Sequence, residues 1–408
     1  MPPKRMTPRK DSPQKGSMYS RQAEQRLEHD DRQSLLNGDS DGSSDDEEAQ
    51  SPQEQQSPAT VKNLLSVRRY PFVLAAGLLF DFARIAMAFL GPYYMNDVTH
   101  SPRLVQLTGA ASWCFLIAGP CFGVISDRFD RRRTVLTVLC VEAAMAALVG
   151  LLMVNGLMQP AFMFIYMIQS SICGVLDTTN RPAMIYDLLF MHKSEHLIGK
   201  AMALRSIGSN CGRIFGNQVV GWVVETGGVG WTYTLVSCCL WGSGLLLCCV
   251  PSPPKAQPRT SSGKKPPEKG GIFEELAAGA SMAWHDKAFM SMLGVTFFAN
   301  FNYWSHQPLL QVLATRLGAD ASEAGLLVSA SGWGGLLASL MVTNLNPART
   351  GLLYCLGIAA ADAVLPGATI LNFWSAFAAL GGSGFLAGLF GAVQSAMVMQ
   401  VRFRIMYH

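Results

Sequence analysis

Charged side chains inside long apolar segments are the candidates for chemistry in this sequence. They are Asp81, Arg84, Asp177, Arg205 and Arg213. Because a charge at membrane depth is costly, such a residue usually faces a cavity or a partner. Asp81 and Arg84 stand at i and i+3, which predicts that they share one face of a helix. Asp81 is therefore predicted to couple protons or to contact a substrate, with a static ion pair between helices as the alternative.

Several of these charged residues can be compared by their predicted depth in the membrane. At about 1.5 Å per residue, Arg213 lies near the middle of its segment. Asp177 and Arg205 reach the same depth from opposite directions, and this predicts a pair between them. Arg181 and Asp187 lie nearer the water and are predicted to be structural.

A run of polar and aromatic residues interrupts the apolar segment 288–312. Its members are Asn300, Asn302, Tyr303, Trp304 and His306. Lipid does not favour this density of donors, acceptors and ring faces, so the run is predicted to line a substrate cavity for an amphipathic organic molecule. Anchoring of Tyr303 and Trp304 at the membrane interface is the alternative. The sequence carries no nucleophile–base pair, paired catalytic carboxylates or metal-ligand spacing, so an enzyme, a cofactor and a metal site are not expected.

The elements that must position these residues are membrane helices. Half of the 408 residues are apolar and 15% are charged, and beyond Tyr70 the apolar runs reach the length of about 20 residues that spans a bilayer. This pattern indicates a polytopic α-helical protein in the lipid bilayer. The basic residues fall between the apolar runs instead of forming one patch, so nucleic acid is not an expected partner. A monomer is expected.

Ten membrane helices are predicted, as six followed by four. They cover 71–95, 104–126, 134–157, 161–187, 199–224, 230–251, 288–312, 323–344, 350–367 and 370–397. The Lys and Arg residues between them fall on one side, and the opposite side has only Arg103 and Arg316. The positive-inside rule then places both termini in the cytoplasm.

Polar segments divide the chain into four parts. Residues 1–69 are predicted to be a disordered cytoplasmic tail, because they hold too little apolar surface to offset the entropy of ordering. Residues 70–251 would form a six-helix bundle, and 287–408 a bundle of four helices. The linker 252–286 between them is polar and basic, with a short amphipathic helix predicted at 272–276.

The tail contains a short pattern that other proteins could bind. Asp31, Leu35 and Leu36 match an acidic dileucine sorting signal. The alternative is a solvated tail with a chance pair of leucines. The expected location is the plasma membrane or an endolysosomal or vacuolar membrane.

The turn after the second predicted helix carries a family resemblance. Its key residues are Gly123, Asp127, Arg128, Arg131 and Arg132. They resemble the major facilitator signature loop, G-x-x-x-D-R-x-G-R-R. Glycine at the first position would let two helices approach closely, and the aspartate would accept hydrogen bonds from arginines in a tight turn at the membrane face. An ordinary positively charged cytoplasmic loop is the alternative.

Residues 201–216 narrow the resemblance to the branch that contains enterobactin exporters and macrolide-efflux-like proteins, in which the turn D-R-F-D-R-R is usual. Asn217 follows Gly216 where efflux proteins often have proline. The resemblance spans about 65–400 and implies two six-helix bundles around a central cavity that opens alternately to each side. Here the second bundle has four helices, so either the record is truncated or two spans have been lost. The third helix, which holds Glu142, would lie at the periphery, and the role of this residue stays open.

The expected function is secondary active transport of a small organic molecule, with export in exchange for protons. Asp81 would change protonation as the two bundles rock. The alternative is a non-transporting ten-helix membrane scaffold or regulator, derived from a transporter, whose tail recruits partners.

Overall fold

The computed structural model describes residues 61–192, 194, 197–250, 306–342 and 372–389, together with scattered positions between 277 and 297. The regular elements within these ranges are all helical. Several predicted features lie outside the described residues. These are the sorting pattern at Asp31, Leu35 and Leu36, the amphipathic helix 272–276 and the membrane helix 350–367.

The helices follow one another along the chain with short connections. They are α1 (Val61–Ser66), α2 (Tyr70–Thr99), α3 (Pro102–Trp113), α4 (Gly119–Arg128), α5 (Arg131–Val154), α6 (Pro160–Met191), α7 (Ile198–Cys248), α8 (Leu309–Arg316), α9 (Ala321–Val342) and α10 (Phe373–Leu389). Within the described ranges, five of them are long and apolar enough to cross a membrane, namely α2, α5, α6, α7 and α9. The count of ten membrane helices stays a prediction.

The second predicted span is broken in the structure. Residues 104–126 were expected to form one helix, but α3 ends at Trp113, a 3₁₀ turn covers Cys114–Ala118, and α4 begins at Gly119. Pro120 stands in the first turn of α4, where its missing N–H leaves no hydrogen bond back to the preceding turn. The helix therefore restarts at this point.

The fifth and sixth predicted spans form the two arms of α7. They meet at Gly228, whose φ of 81° and ψ of 168° lie outside the helical region. Glycine adopts this positive φ without a Cβ clash, so the chain can change direction there. Both arms pack against α2: Gly208 in the first arm contacts Leu78, and Ser243 Oγ in the second donates a hydrogen bond of 2.8 Å to the carbonyl of Ala76.

Close backbone contact joins α7 to α9. A Cβ added to Gly221 would lie 2.5 Å from the carbonyl oxygen of Ala321 and 3.2 Å from Cα of Gly325. At the same end of the molecule, Asn96 Nδ2 donates a hydrogen bond of 2.8 Å to Thr315 Oγ1. We call this end, where α2 finishes, the Thr99 end. Through these contacts the helices before residue 250 pack against those after residue 306.

Candidate functional site

A cavity of about 530 Å³ lies between α2, α3, α6, the first arm of α7, and the segment 307–331. Its charged wall residues, within the described part of the chain, are Asp81, Arg84, Arg205 and Arg213. The sequence analysis singled out all four from their depth in apolar segments. The structure brings them together at one cavity, and their roles stay predictions.

Asp81 is a half-buried carboxylate at the middle of α2. Among the described residues it forms neither a hydrogen bond nor an ion pair, and Arg84 on the next turn does not pair with it. The positive charges of Arg205, Arg181 and Arg213 are near enough to act on it electrostatically. Asp81 therefore faces the cavity with arginines around it but none bound to it.

Arg84 has partners that the sequence analysis missed. Its Nη1 donates to the carbonyl of Ser170 at 3.0 Å and to Ser170 Oγ at 2.9 Å. Ser170 Oγ in turn donates to Glu142 Oε1 at 2.8 Å, and Arg84 Nη1 lies 3.7 Å from the same carboxylate oxygen. Glu142 is fully buried and lies behind the cavity wall. Its position as the lone acid in an apolar span was the signal that a partner must exist.

The predicted pair of Asp177 with Arg205 is wrong. Asp177 instead pairs with Arg181 one turn along α6, through hydrogen bonds of 2.6, 2.9 and 3.2 Å. Arg181 is buried among the helices, since it is 1% exposed and its guanidinium lies 4.8 Å from the ring centroid of Phe80. A partner at i+4 on the same helix requires no particular rotation of a neighbouring helix, so the local pair forms.

The signature turn lies at the opposite end from Thr99. Arg131 Nη1 forms an ion pair of 2.7 Å with Asp187, which joins the start of α5 to the end of α6. Arg132 donates from Nε and Nη2 to the carbonyls of Leu247 and Cys248, at 3.2 and 2.9 Å. These bonds give the carbonyls at the end of α7 side-chain donors from the start of α5.

The remaining members of the signature, Gly123, Asp127 and Arg128, lie on α4. Arg128 is the last residue of α4, and the side chain of Asp127 lies outside what the structure describes. A Cβ added to Gly123 would meet nothing within 4 Å, so the close helix approach expected there is not found among the described residues.

The polar run of the seventh predicted span is mostly undescribed. Asn300, Asn302, Tyr303 and Trp304 lie outside the described residues, and His306 is half-buried just before α8. The segment reaches the cavity through Gln307 and Pro308, at the end of the polar run, and through Gln311 beyond it. Gln311 is 3% exposed and interrupts the apolar residues 309–314, a pattern that is visible in the sequence.

Curated relatives match this chain over part of its length. The enterobactin exporter EntS of Shigella boydii serotype 4 is 27% identical over 205 residues, which are 48% of this chain and 48% of that protein. The enterobactin exporter EntS of Escherichia coli O1:K1 is 26% identical over 205 residues, with the same coverage. The chain thus spans about half the length of the curated relatives it matches.

Solved structures are similar over most of the chain. The nucleoside transporter NupG aligns with a TM-score of 0.61 at 12% identity, covering 81% of this chain and 83% of NupG. A bacterial homologue of the human lysosomal transporter Spinster, in an inward-facing and unoccupied conformation, aligns with a TM-score of 0.58 at 16% identity, covering 80% and 74%. At these identities the similarity is one of fold.

The family itself is identified by a match over most of the sequence. A family model described as Major Facilitator Superfamily matches residues 72–402. This range includes every described helix from α3 to α10, the cavity and the signature turn, so the resemblance found in the sequence is confirmed. The chain is a multi-pass membrane protein that belongs to the major facilitator superfamily.

Proposed function

We propose that this chain is a secondary active transporter that exports a small organic molecule in exchange for protons, by alternating access. One observation carries the proposal: Asp81 faces a cavity of about 530 Å³ at the middle of α2 and has no ion pair among the described residues. A carboxylate in this setting can take up and release a proton without breaking a bond that holds the fold. The exporters among the relatives support the direction.

Movement of the arginines would couple the proton to the substrate. An arginine that approaches a carboxylate favours its ionised form, and one that withdraws favours the protonated form. Arg205 and Arg213 lie on α7, whereas Asp81 lies on α2. A small relative movement of these two helices would therefore change the proton affinity of the site as the cavity changes sides.

The two ends of the molecule would act as gates. At the Thr99 end, the hydrogen bond from Asn96 to Thr315 and the contact of Gly221 with Ala321 hold the helices before residue 250 against those after residue 306. At the other end, Asp127 and Arg131 of the signature turn would assist the change of conformation. Asp127→Asn should then slow turnover while leaving substrate binding nearly intact, and equal loss of both would count against this role.

Vesicle transport tests the proposal. Uptake and efflux of a compound panel are measured with and without a pH gradient, first for the unmodified protein and then for Asp81→Asn. The variant should lose pH-driven accumulation yet keep exchange of substrate that needs no energy input. Asp97→Asn, on the exposed end of the same helix, is the matched control and should transport normally.

Two outcomes contradict the proposal. If Asp81→Asn still concentrates substrate when driven by pH, the carboxylate is not the coupling group. If the unmodified protein moves no compound in either direction, the chain is better explained as a membrane scaffold.

A further inference from the structure

Arg84 is held in place by one edge of its guanidinium. Nη1 makes both hydrogen bonds to Ser170, and no described residue accepts from Nε or Nη2. The group lies over the ring of Trp113, with 5.7 Å between Cζ and the ring centroid, and its side chain is 19% exposed. Two N–H-bearing nitrogens of a fixed cation are thus left at the cavity wall.

Gly174 makes room for this arrangement. A Cβ at this position would lie 2.5 Å from Nη2 of Arg84, 2.6 Å from Cζ and 2.8 Å from Nη1, closer than real Cβ contacts. Only glycine therefore lets the guanidinium lie flat against α6. Glycine, serine and tryptophan from two other helices fix Arg84 before any ligand arrives, and such preorganisation lowers the cost of binding.

The described wall of the cavity carries an excess of positive charge. Its charged members are Arg84, Arg205 and Arg213 against Asp81, and Glu142 lies behind the wall. Counting Glu142 as ionised, three positive and two negative charges leave one positive charge. A cleft with such an excess and apolar walls attracts anions.

We propose that Arg84 binds the oxyanion group, a carboxylate or a phosphate, of the transported molecule, so that the substrate class is organic anions. The guanidinium fork matches such a group because two parallel N–H donors fit two oxygens. Trp113, which is partly exposed, lines the same cavity and suits an apolar body. The inference rests on the proposed function, since it takes the ligand of this cavity to be the transported molecule.

Equilibrium binding to the full chain tests this assignment. The protein is placed in phosphatidylcholine nanodiscs, and calorimetry measures binding of benzoate, 2-naphthoate and 2-naphthyl phosphate. Each anion is paired with an uncharged counterpart, namely benzamide, 2-naphthamide and 2-naphthol. Loss of a charge-assisted bidentate contact corresponds to about tenfold to hundredfold in affinity, so at least one anion should exceed its counterpart by that factor.

Variants locate the preference at Arg84. Arg84→Gln should abolish it, and Arg84→Lys should retain part of it because the charge remains without the fork. Gly174→Ala should weaken anion binding by displacing the guanidinium, whereas Gly244→Ala, where an added Cβ meets nothing within 4 Å, should have no effect. Preserved preference in Arg84→Gln would overturn the assignment.

The remaining outcomes are equally decisive. If no anion binds more tightly than its counterpart, the substrate class is wrong. If phosphatidylglycerol added to the nanodiscs displaces the anions, a lipid headgroup is the occupant and the inference of a transported anion fails. Because no gradient is present, these results are independent of proton coupling at Asp81, and failure of pH-driven transport would leave them standing.

Discussion

Removing the charge of Asp177 should destabilise the protein without abolishing proton coupling. Asp177 and Arg181 are 0% and 1% exposed, and neither lines the cavity. Asp177→Asn keeps the shape of the side chain but leaves the guanidinium of Arg181 buried without the carboxylate that pairs with it. Among the described residues its Nη1 already lacks a hydrogen-bond partner, so the described surroundings offer no spare acceptor to compensate.

The expected loss follows from the burial of the pair. Breaking a buried ion pair by removing one partner costs about 3–5 kcal/mol, because an uncompensated charge remains. For a domain of this kind such a loss lowers the melting temperature by about 5–10 °C. Thermal unfolding of the purified protein in detergent measures the shift.

A paired replacement separates the cost of the broken pair from the value of the intact one. Asp177→Leu combined with Arg181→Met replaces both charges by apolar groups and should restore most of the stability lost in the single variant. Vesicle transport of the paired variant should still respond to a pH gradient. An Asp177→Asn variant as stable as the unmodified protein would refute the stability argument. A stable Asp177→Asn variant that has lost pH-driven transport would make Asp177 a coupling residue.

Three further predictions use the same preparations. Asp187→Asn should lower stability by no more than about 1 kcal/mol, because its pair with Arg131 is partly exposed; a loss as large as that of Asp177→Asn would contradict this. Gly221→Ala should destabilise by about 1–3 kcal/mol through overpacking against α9, whereas Gly244→Ala should not. Reporters inserted before Arg68 and within 252–272 should both be cytoplasmic, and an extracytoplasmic linker would disprove the topology.

The depth of a charged residue in the membrane could be predicted from the sequence, but the neighbouring side chain that it meets could not. Apolar length places Asp81 and Arg213 near the middle of their helices, and the structure has them at one cavity. Depth alone also suggested that Asp177 meets Arg205. The observed partner, Arg181, stands at i+4 on α6 itself, a spacing that is visible in the sequence. The sequence does not display the rotation of α6 against α2, which places Phe80 over the guanidinium of Arg181.

The two helix breaks differ in how far the sequence predicts them. Gly228 could be placed between two spans because the apolar pattern pauses there. The break at Cys114–Ala118 lies inside a continuous apolar run, and only the proline that follows it indicates the restart. Similarly, the partners of Glu142 on α5 are Arg84 on α2 and Ser170 on α6, and no spacing along the chain relates these three helices.

The charged residues within the helices differ in how they relate to the cavity. Asp177 and Arg181 pair with each other away from it, whereas Asp81 faces it with no bound partner among the described residues. Glu142 is intermediate between these two cases. It is buried behind the wall, but it accepts a hydrogen bond from Ser170 and lies 3.7 Å from Arg84, which lines the cavity. At that distance it attenuates the positive charge of Arg84 without occupying the free edge of the guanidinium. In the proposed anion site, this arrangement would keep binding specific but weak enough for release, which a transporter needs at each turnover.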